Sequence, residues 1–484
     1  MGTLSTLEPR KVFKFFDEIS QIPRGSGNIT QISGYLADFA EGHNLRYRQD
    51  QYGNVIIWKD ATNGYEKSAP VMLQGHMDMV CEKTEESKHD FTKEPLDVNF
   101  VDDCVFARGT TLGADDGIAM AYALAILESD NIPHPPIEAV FTTDEETGME
   151  GAKSLDMSVL QARRLINLDS EDEGVFYTSC AGGLRGNLTV PVRYTEHTGE
   201  EYKIVISGLN GGHSGEEIDK YNANAIILIG RLLHFLQTKI KFSIVFLQGG
   251  LMDNAIPREA SCTVLVSKED SKDLEDIVSA FEDTVKNEFK ANEKNIMIYS
   301  NHVASSTQKV LSNRFQNRVI FLLNTIPDGV QKMSMEADTK GLVETSLNFG
   351  IMRLTDCEFS LEAALRSSVS SEKYALSDKL RFLTESIGGK YEEKGDYPAW
   401  EYNEHSELIP LAEKIYKKQY GEEPVIKGIH AGLECGIIYA ALQPIDIISF
   451  GPTITGAHTP KEKLLISSTE RIWRFLLEIL KELK

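Results

Sequence analysis

Paired cysteines are missing from this chain. Its six cysteines (Cys81, Cys104, Cys180, Cys262, Cys357 and Cys435) form no C-x-x-C pair and show no secreted-domain spacing, as expected of reduced thiols and a cytoplasmic address. Long apolar runs are absent too: none approaches the roughly 18 residues of a membrane-spanning helix. "MGTLSTLEPRKVFKFFDEI" has no apolar core long enough for a signal peptide. The first residues do match the acylation pattern M-G-x-x-x-[ST] through Gly2 and Thr6, but no basic cluster accompanies it and one acyl chain holds weakly. Cations are the third shortage. With 50 Lys and Arg against 73 Asp and Glu, the net charge of −23 repels polyanions and gives no support to nucleic-acid binding. What is present is ordinary globular material, 41% apolar and 25% charged. By length it amounts to roughly three domains.

Residues 1 to 182 alternate helix-like and strand-like stretches. "RKVFKFFDEISQI" and "GIAMAYALAILES" have helical character; "NVIIWK", "APVMLQGHMD", "PPIEAVFTTDEE" and "ARRLINLDSEDEG" read as strands, the last two running into acids. In open α/β sheets the ligand crevice lies beyond the carboxyl ends of the strands, so charge there marks the place for chemistry. From about residue 203 a βαββαβ series appears and then partly recurs. Residues 183 to 397 therefore read as an inserted α+β domain of two similar halves, and 398 to 484 as a return to α/β. The expected architecture is an α/β catalytic domain with a central mixed sheet flanked by helices, in segments 1–182 and 398–484, interrupted by a lid at 183–397.

Five fragments carry candidate chemistry. "QGHMDM" sets His76 and Asp78 two apart at a strand end, where alternation turns both to one face and the carboxylate can orient the ring; alternatively the two merely cap a turn. "TTLGADDGIAMA" puts Asp115 and Asp116 at a helix start, either as first-turn caps or with one bridging two cations. "TTDEETGMEGA" crowds Asp144, Glu145 and Glu146. They are solvent-facing acids of a helix-entry loop, or a cleft pair in which one neighbour binds metal and the other takes a proton from water. "INLDSEDEG" adds Asp169 at a strand end, and "GPTITGAHTPKEKL" adds His458 in a loop. Together these imidazoles and carboxylates form a hard N/O donor set for two zinc or manganese ions, with no thiolate.

The order "GHMD", "GADDG", "DEETG", "NLDSE", "GGHSG", "GAHTP" resembles the co-catalytic dizinc peptidases that include carnosinases, aminoacylases and short-peptide carboxypeptidases. "LGADDGIAMA", "NLDSEDEG" and "GIHAGLECG" are most similar to the branch of aminoacyl-histidine (Xaa-His) dipeptidases. The resemblance implies two zinc ions, with manganese or cobalt as substitutes: Asp115 bridges, His76 and Asp169 complete one site, and Glu146 and His458 the other. It makes Glu145 the general base for a metal-bridging water, Asp78 the residue that orients His76, and the Asp115–Asp116 peptide cis. In the lid, His213 of "GLNGGHSGEEI" would stabilise the oxyanion and Asn254 of "MDNAIP" would help bind substrate. Arg366 of "AALRSS" suits a dipeptide carboxylate, though a strand arginine also pairs with surface acids. The backbone at Gly432 of "HAGLECG" would line the substrate side, or only start a helix.

The implied activity is hydrolysis of short unblocked peptides, foremost Xaa-His dipeptides. Its alternatives are an N-acyl-amino-acid hydrolase, a broad di- or tripeptidase, a two-metal phosphoesterase, and a non-catalytic binding protein that has kept the fold. A small peptide is the expected partner, with no nucleic acid and no membrane. A homodimer is also expected, with His213 acting in cis or from a partner chain.

Overall fold

The β-branched runs of the first segment assemble as strands of a mixed sheet because each is apolar on both faces and must be covered on both. The computed structural model describes residues 4–335 and 340–484, so Gly2 of the acylation pattern lies outside the described residues. The chain divides into two compact units. Unit 1 comprises Met1–Ser179, Trp400–Gly428 and Leu433–Lys484; unit 2 comprises Cys180–Ala399 and Ile429–Gly432.

Unit 1 is built on an eight-stranded sheet in the order Arg46–Gln49, Val55–Lys59, Ile137–Thr142, Val71–His76, Arg164–Asn167, Asp446–Ser449, Val175–Cys180, Val425–Ile429. Its central strands run parallel and end within two residues of one another: His76 pairs with Thr142, Gln74 with Asn167, and Asn167 with Ser449. Helix Ala114–Glu128 is rich in Ala, Leu, Ile and Met, strong helix formers for the most part, and is buried almost all round, as suits the central helix of a core. Helix Arg10–Ser20 presents Val12, Phe13, Phe16 and Ile19 to the same core, and Ile466–Glu482 presents Ile472, Phe475, Leu476 and Ile479. A second, small sheet matters for the site. Ile454–Thr455 and Lys463–Leu465 form a hairpin whose loop carries His458, and Lys463–Leu465 also pairs with Cys104–Ala107.

Unit 2 has one nine-stranded antiparallel sheet, eight strands of which run in the order Met297–Leu311, Tyr194–Ser207, Ala260–Val266, Phe242–Gly249, Val343–Leu354, Glu358–Ser367, Gly182–Pro191, Lys390–Tyr397, while the short Gly329–Met333 pairs with Val343–Leu354 off this path. Reading each half outward from the middle gives the same sequence of strands: second, third, first, fourth. The strand Gly182–Pro191, which the pattern did not predict, is the first strand of the second half. The whole first half is spliced in behind it, which is why the recurrence looked incomplete. Helix Ala225–Gln237 is capped by Asn224, whose side chain accepts from the N–H groups of Ile226 (2.9 Å) and Ile227 (3.4 Å).

Asn224 also donates to Asp328 (3.3 Å), a carboxyl that burial pushes from its ordinary 3.8 up to about 7. A raised folded-state pKa means the fold prefers the protonated acid. Its stability contribution is complete below pH 3.8 and lost as pH rises through about 7. Asp328→Asn should flatten the fall of unfolding free energy across that window, measured by denaturant melts of both proteins.

Candidate active site

Neighbouring strand ends put three acid-bearing loops side by side, and the hairpin loop 456–462 joins them from the small sheet. The structure brings His76, Asp78, Asp115, Glu145, Glu146, Asp169 and His458 together, all within unit 1. Asp115 is at the centre. Its Oδ1 lies 3.1 Å from His76 Nε2 and its Oδ2 2.9 Å from His458 Nε2. Asp169 Oδ1 stands 3.8 Å from His76 Nε2, and Glu146 Oε1 3.2 Å from His458 Nε2.

The two aspartates of "GADDG" part ways. Asp115 faces both imidazoles, whereas Asp116 Oδ2 accepts the backbone N–H of His76 at 3.1 Å. Their peptide is cis, and both residues depart from helical φ/ψ inside the first turn. Asp78 also differs from expectation. The strand stops at His76, so alternation does not set the pair; the following loop brings Asp78 Oδ1 to 3.4 Å from His76 Nδ1. Asp78 serves the acidic loop as well, accepting from the N–H groups of Glu145 (3.1 Å) and Glu146 (3.4 Å). Asp144 sits at φ 52° and accepts the N–H of Gly27 at 2.6 Å. Crowding three acids is therefore possible because the first and the backbone of the other two are tied down.

Electrostatics describe a site short of positive charge. Burial pushes Glu145 up to about 8, and Glu434, Glu146 and Asp115 add to the rise while His76 opposes it. Burial also raises Asp169 well above the usual range. Asp115 moves the other way: burial alone would raise it, but hydrogen bonds from His458 and His76 pull it down. Its hydrogen bond and that of Glu146 lift His458 to about 11. Three groups (His76, Asp116 and Asp169; His76, Glu145 and Glu146; Asp115, Glu146 and His458) each hold donor atoms within 4.8 Å of one another. Hard N/O donors and surplus negative charge fit a pair of divalent cations.

The remaining predicted residues lie in unit 2. A Cβ on Gly215 would stand 3.1 Å from Arg366 Nε and 3.2 Å from the His213 ring, which places these two around one glycine. His213 Nδ1 accepts the N–H of Glu216 (3.2 Å), and burial and Arg366 lower its pKa, so the neutral ring carries its proton on Nε2. Asn254 meets the same loop through its backbone, its carbonyl accepting the N–H of Ser214 at 2.8 Å. Arg366 Nη1 donates to the Tyr397 hydroxyl (3.2 Å), and its Nε is buried and unpartnered. Gly432 ends the short segment that unit 2 takes from the second α/β stretch. Sequence reasoning missed His430, whose Nε2 lies 2.7 Å from Ser346 Oγ and which burial and Arg366 push down to about 3. It also missed Glu434, fully buried and hydrogen-bonded by Gln74 (2.6 Å) and Thr142 (2.5 Å); both residues lie in "GIHAGLECG", whose only candidate at the sequence level is the backbone at Gly432.

Comparison with known proteins decides the family. A profile described as peptidase family M20/M25/M40 matches residues 72–482. The chain belongs to this family. The cytosol non-specific dipeptidase of Escherichia coli K12 is 39% identical over 485 residues, covering 100% of this chain and 99% of that protein. The crystal structure of aminoacylhistidine dipeptidase from Vibrio alginolyticus superposes with a TM-score of 0.93 at 37% identity, covering 99% and 98% of the two chains. Aminopeptidase PepT from Bacillus cereus shares the fold alone, with a TM-score of 0.56 at 15% identity. Among the described residues of this M20/M25/M40 peptidase no helix is long and apolar enough to cross a membrane.

Cation stoichiometry tests the geometry. Metal-free protein titrated with Zn2+ or Co2+ should take up two ions; Glu146→Ala and His458→Ala should each keep one, and Asp115→Ala should lose the pair. Retention of two ions by Asp115→Ala, measured by elemental analysis, would contradict the shared carboxylate.

Proposed function

We propose that this M20/M25/M40 peptidase is a cytoplasmic dimetal dipeptidase that cleaves short unblocked peptides, Xaa-His dipeptides among them. The observation that carries the reading is the division of one Asp115 carboxylate between two imidazoles, 3.1 and 2.9 Å away, beside the half-buried acid Glu145. Full-length similarity to two dipeptidases supports the substrate class.

In this reading His76, Asp115 and Asp169 hold one cation, and Asp115, Glu146 and His458 the other. Zinc, manganese or cobalt bound there would supply Lewis acidity toward the peptide carbonyl and acidify the attacking water. Asp78 fixes the ring of His76 and the backbone of the Glu145 loop in one contact, so ligand and base are aligned together. Glu145 accepts the water's proton on its carboxylate and returns it to the leaving amine; a pKa raised by burial suits a group that must both take and give. His213, neutral with Nε2–H free of its own loop, donates to the developing oxyanion. Arg366, its Nε unpartnered, takes the carboxylate of the dipeptide, with Asn254 and the Gly432 backbone beside the substrate.

Two substitutions test the assignment on a panel of dipeptides, dipeptide amides and N-acyl amino acids. Glu145→Gln should lower kcat by about 10²- to 10⁴-fold while both cations stay bound. Arg366→Met should raise KM for free dipeptides roughly 10-fold or more, the worth of a charge-assisted hydrogen bond, and leave dipeptide amides unaffected. Wild-type enzyme that prefers N-acyl amino acids over every free dipeptide would overturn the substrate assignment.

A further inference from the structure

A buried arginine beneath the site has no role in the chemistry above. Arg24 is 1% exposed in the segment "IPRGSGN", which follows helix Arg10–Ser20. Its Nη1 donates to the carbonyls of Met77 (3.0 Å) and Asp78 (2.9 Å), in the loop that leaves His76. Its Nη2 donates to the carbonyl of Gly113, at the turn that presents Asp115. One guanidinium thus grips two ligand-bearing loops in its fork, a contact that an ammonium point charge cannot reproduce. Space has been left for it: a Cβ at Gly113 or at Gly117 would lie 2.6 Å from Nη2. The rest of the segment extends the grip. Ser26 Oγ donates to Asp78 Oδ2 at 2.7 Å, and Gly27 N–H to Asp144.

From the opposite side comes Glu462, 3% exposed and four residues beyond His458. Its Oε2 accepts the N–H groups of Leu112 (2.8 Å) and Gly113 (3.0 Å); its Oε1 accepts those of Ala114 (2.8 Å) and Asp115 (3.4 Å). The N–H groups of the Asp115 turn are thereby held by the His458 loop, and its Gly113 carbonyl by Arg24. Burial disfavours both charges, lowering the Arg24 pKa and raising that of Glu462, and the partners offset it in part: Glu462 and the site aspartates favour the guanidinium, and the turn's N–H groups favour the carboxylate.

We propose that Arg24 and Glu462 are positioning residues that interlock the His76, Asp115 and His458 loops, so that Asp115 stands between the two cation positions before any cation enters. Loss of a merely stabilising pair would lower the melting point and leave cation affinities alone. An interlock acts on the cation that depends on Asp115 and His458 being aligned.

The inference rests on the dimetal reading, and the test separates the two. Metal-free wild type, Glu462→Gln and Arg24→Met are titrated with Co2+, following uptake by calorimetry and the visible spectrum, with melting of the metal-free proteins as control. Glu462→Gln keeps the shape but turns an amide NH2 toward N–H donors. Both variants should bind the weaker of the two cations about 10- to 100-fold less tightly, the usual cost of losing an outer partner of a ligand. The Co2+ spectrum of the doubly loaded site should change as well. Glu462→Asp should recover part of the affinity, as it keeps the charge. Wild-type affinities for both cations in Glu462→Gln would overturn the interlock, whatever Arg24→Met does. Failure of the wild type to bind a cation pair would overturn the dimetal reading itself.

Discussion

One carboxylate shared between two imidazoles is the contact on which unit 1 turns. Asp115 and His458 are 343 residues apart in the chain, and their approach to 2.9 Å requires the whole α/β unit to close correctly. The parallel strands supply one side of that closure by ending within two residues of one another. The small sheet supplies the other, since pairing of Lys463–Leu465 with Cys104–Ala107 carries the His458 loop to the Asp115 turn. No single element makes the site; the register of two separate sheets does.

The cost of this arrangement is electrostatic, and the fold meets it with backbone dipoles. Glu462 takes the N–H groups of four successive residues, Asp78 takes two from the acidic loop, Asp116 takes that of His76, and Asp144 takes that of Gly27. Each is a directional bond from a backbone N–H to a carboxyl oxygen. In the proposed reading, acids that do not hold a cation fix the loops of those that do. Negative charge in this unit is structural scaffolding as well as chemistry.

Much of this was legible from residue order. The parallel strands ending in acids, the α+β repeat and the clustering of His76, Asp115, Glu146, Asp169 and His458 all follow from local periodicity and from motif order. Three features were hidden, each for a physical reason. Gly182–Pro191 belongs to the second half of the repeat although the first half intervenes, and strand order in a sheet is not encoded locally. Asp78 reaches His76 through a loop rather than by strand alternation, because the strand ends one residue too soon. Arg24 and Glu462 carry no motif of their own. Their trace is indirect, in Gly113 and Gly117, which look like turn residues but leave the room a guanidinium needs.

The protonation pattern links metal uptake to acidity. Burial and neighbouring acids raise the Glu145 and Asp169 carboxyls, and the carboxylates that face His76 and His458 raise the two imidazoles, each shift favouring the protonated form. Ligation needs neutral imidazoles and ionised carboxylates, so a cation must displace those protons in order to bind. The same crowding of acids that would attract a dication therefore favours protons as well, so its affinity weakens as pH falls. In the proposed reading Glu145, set among competing acids and sharing Asp78 with the ligand His76, is a base whose strength its neighbours set together. Base strength here is a property of the ensemble of acids and not of one side chain.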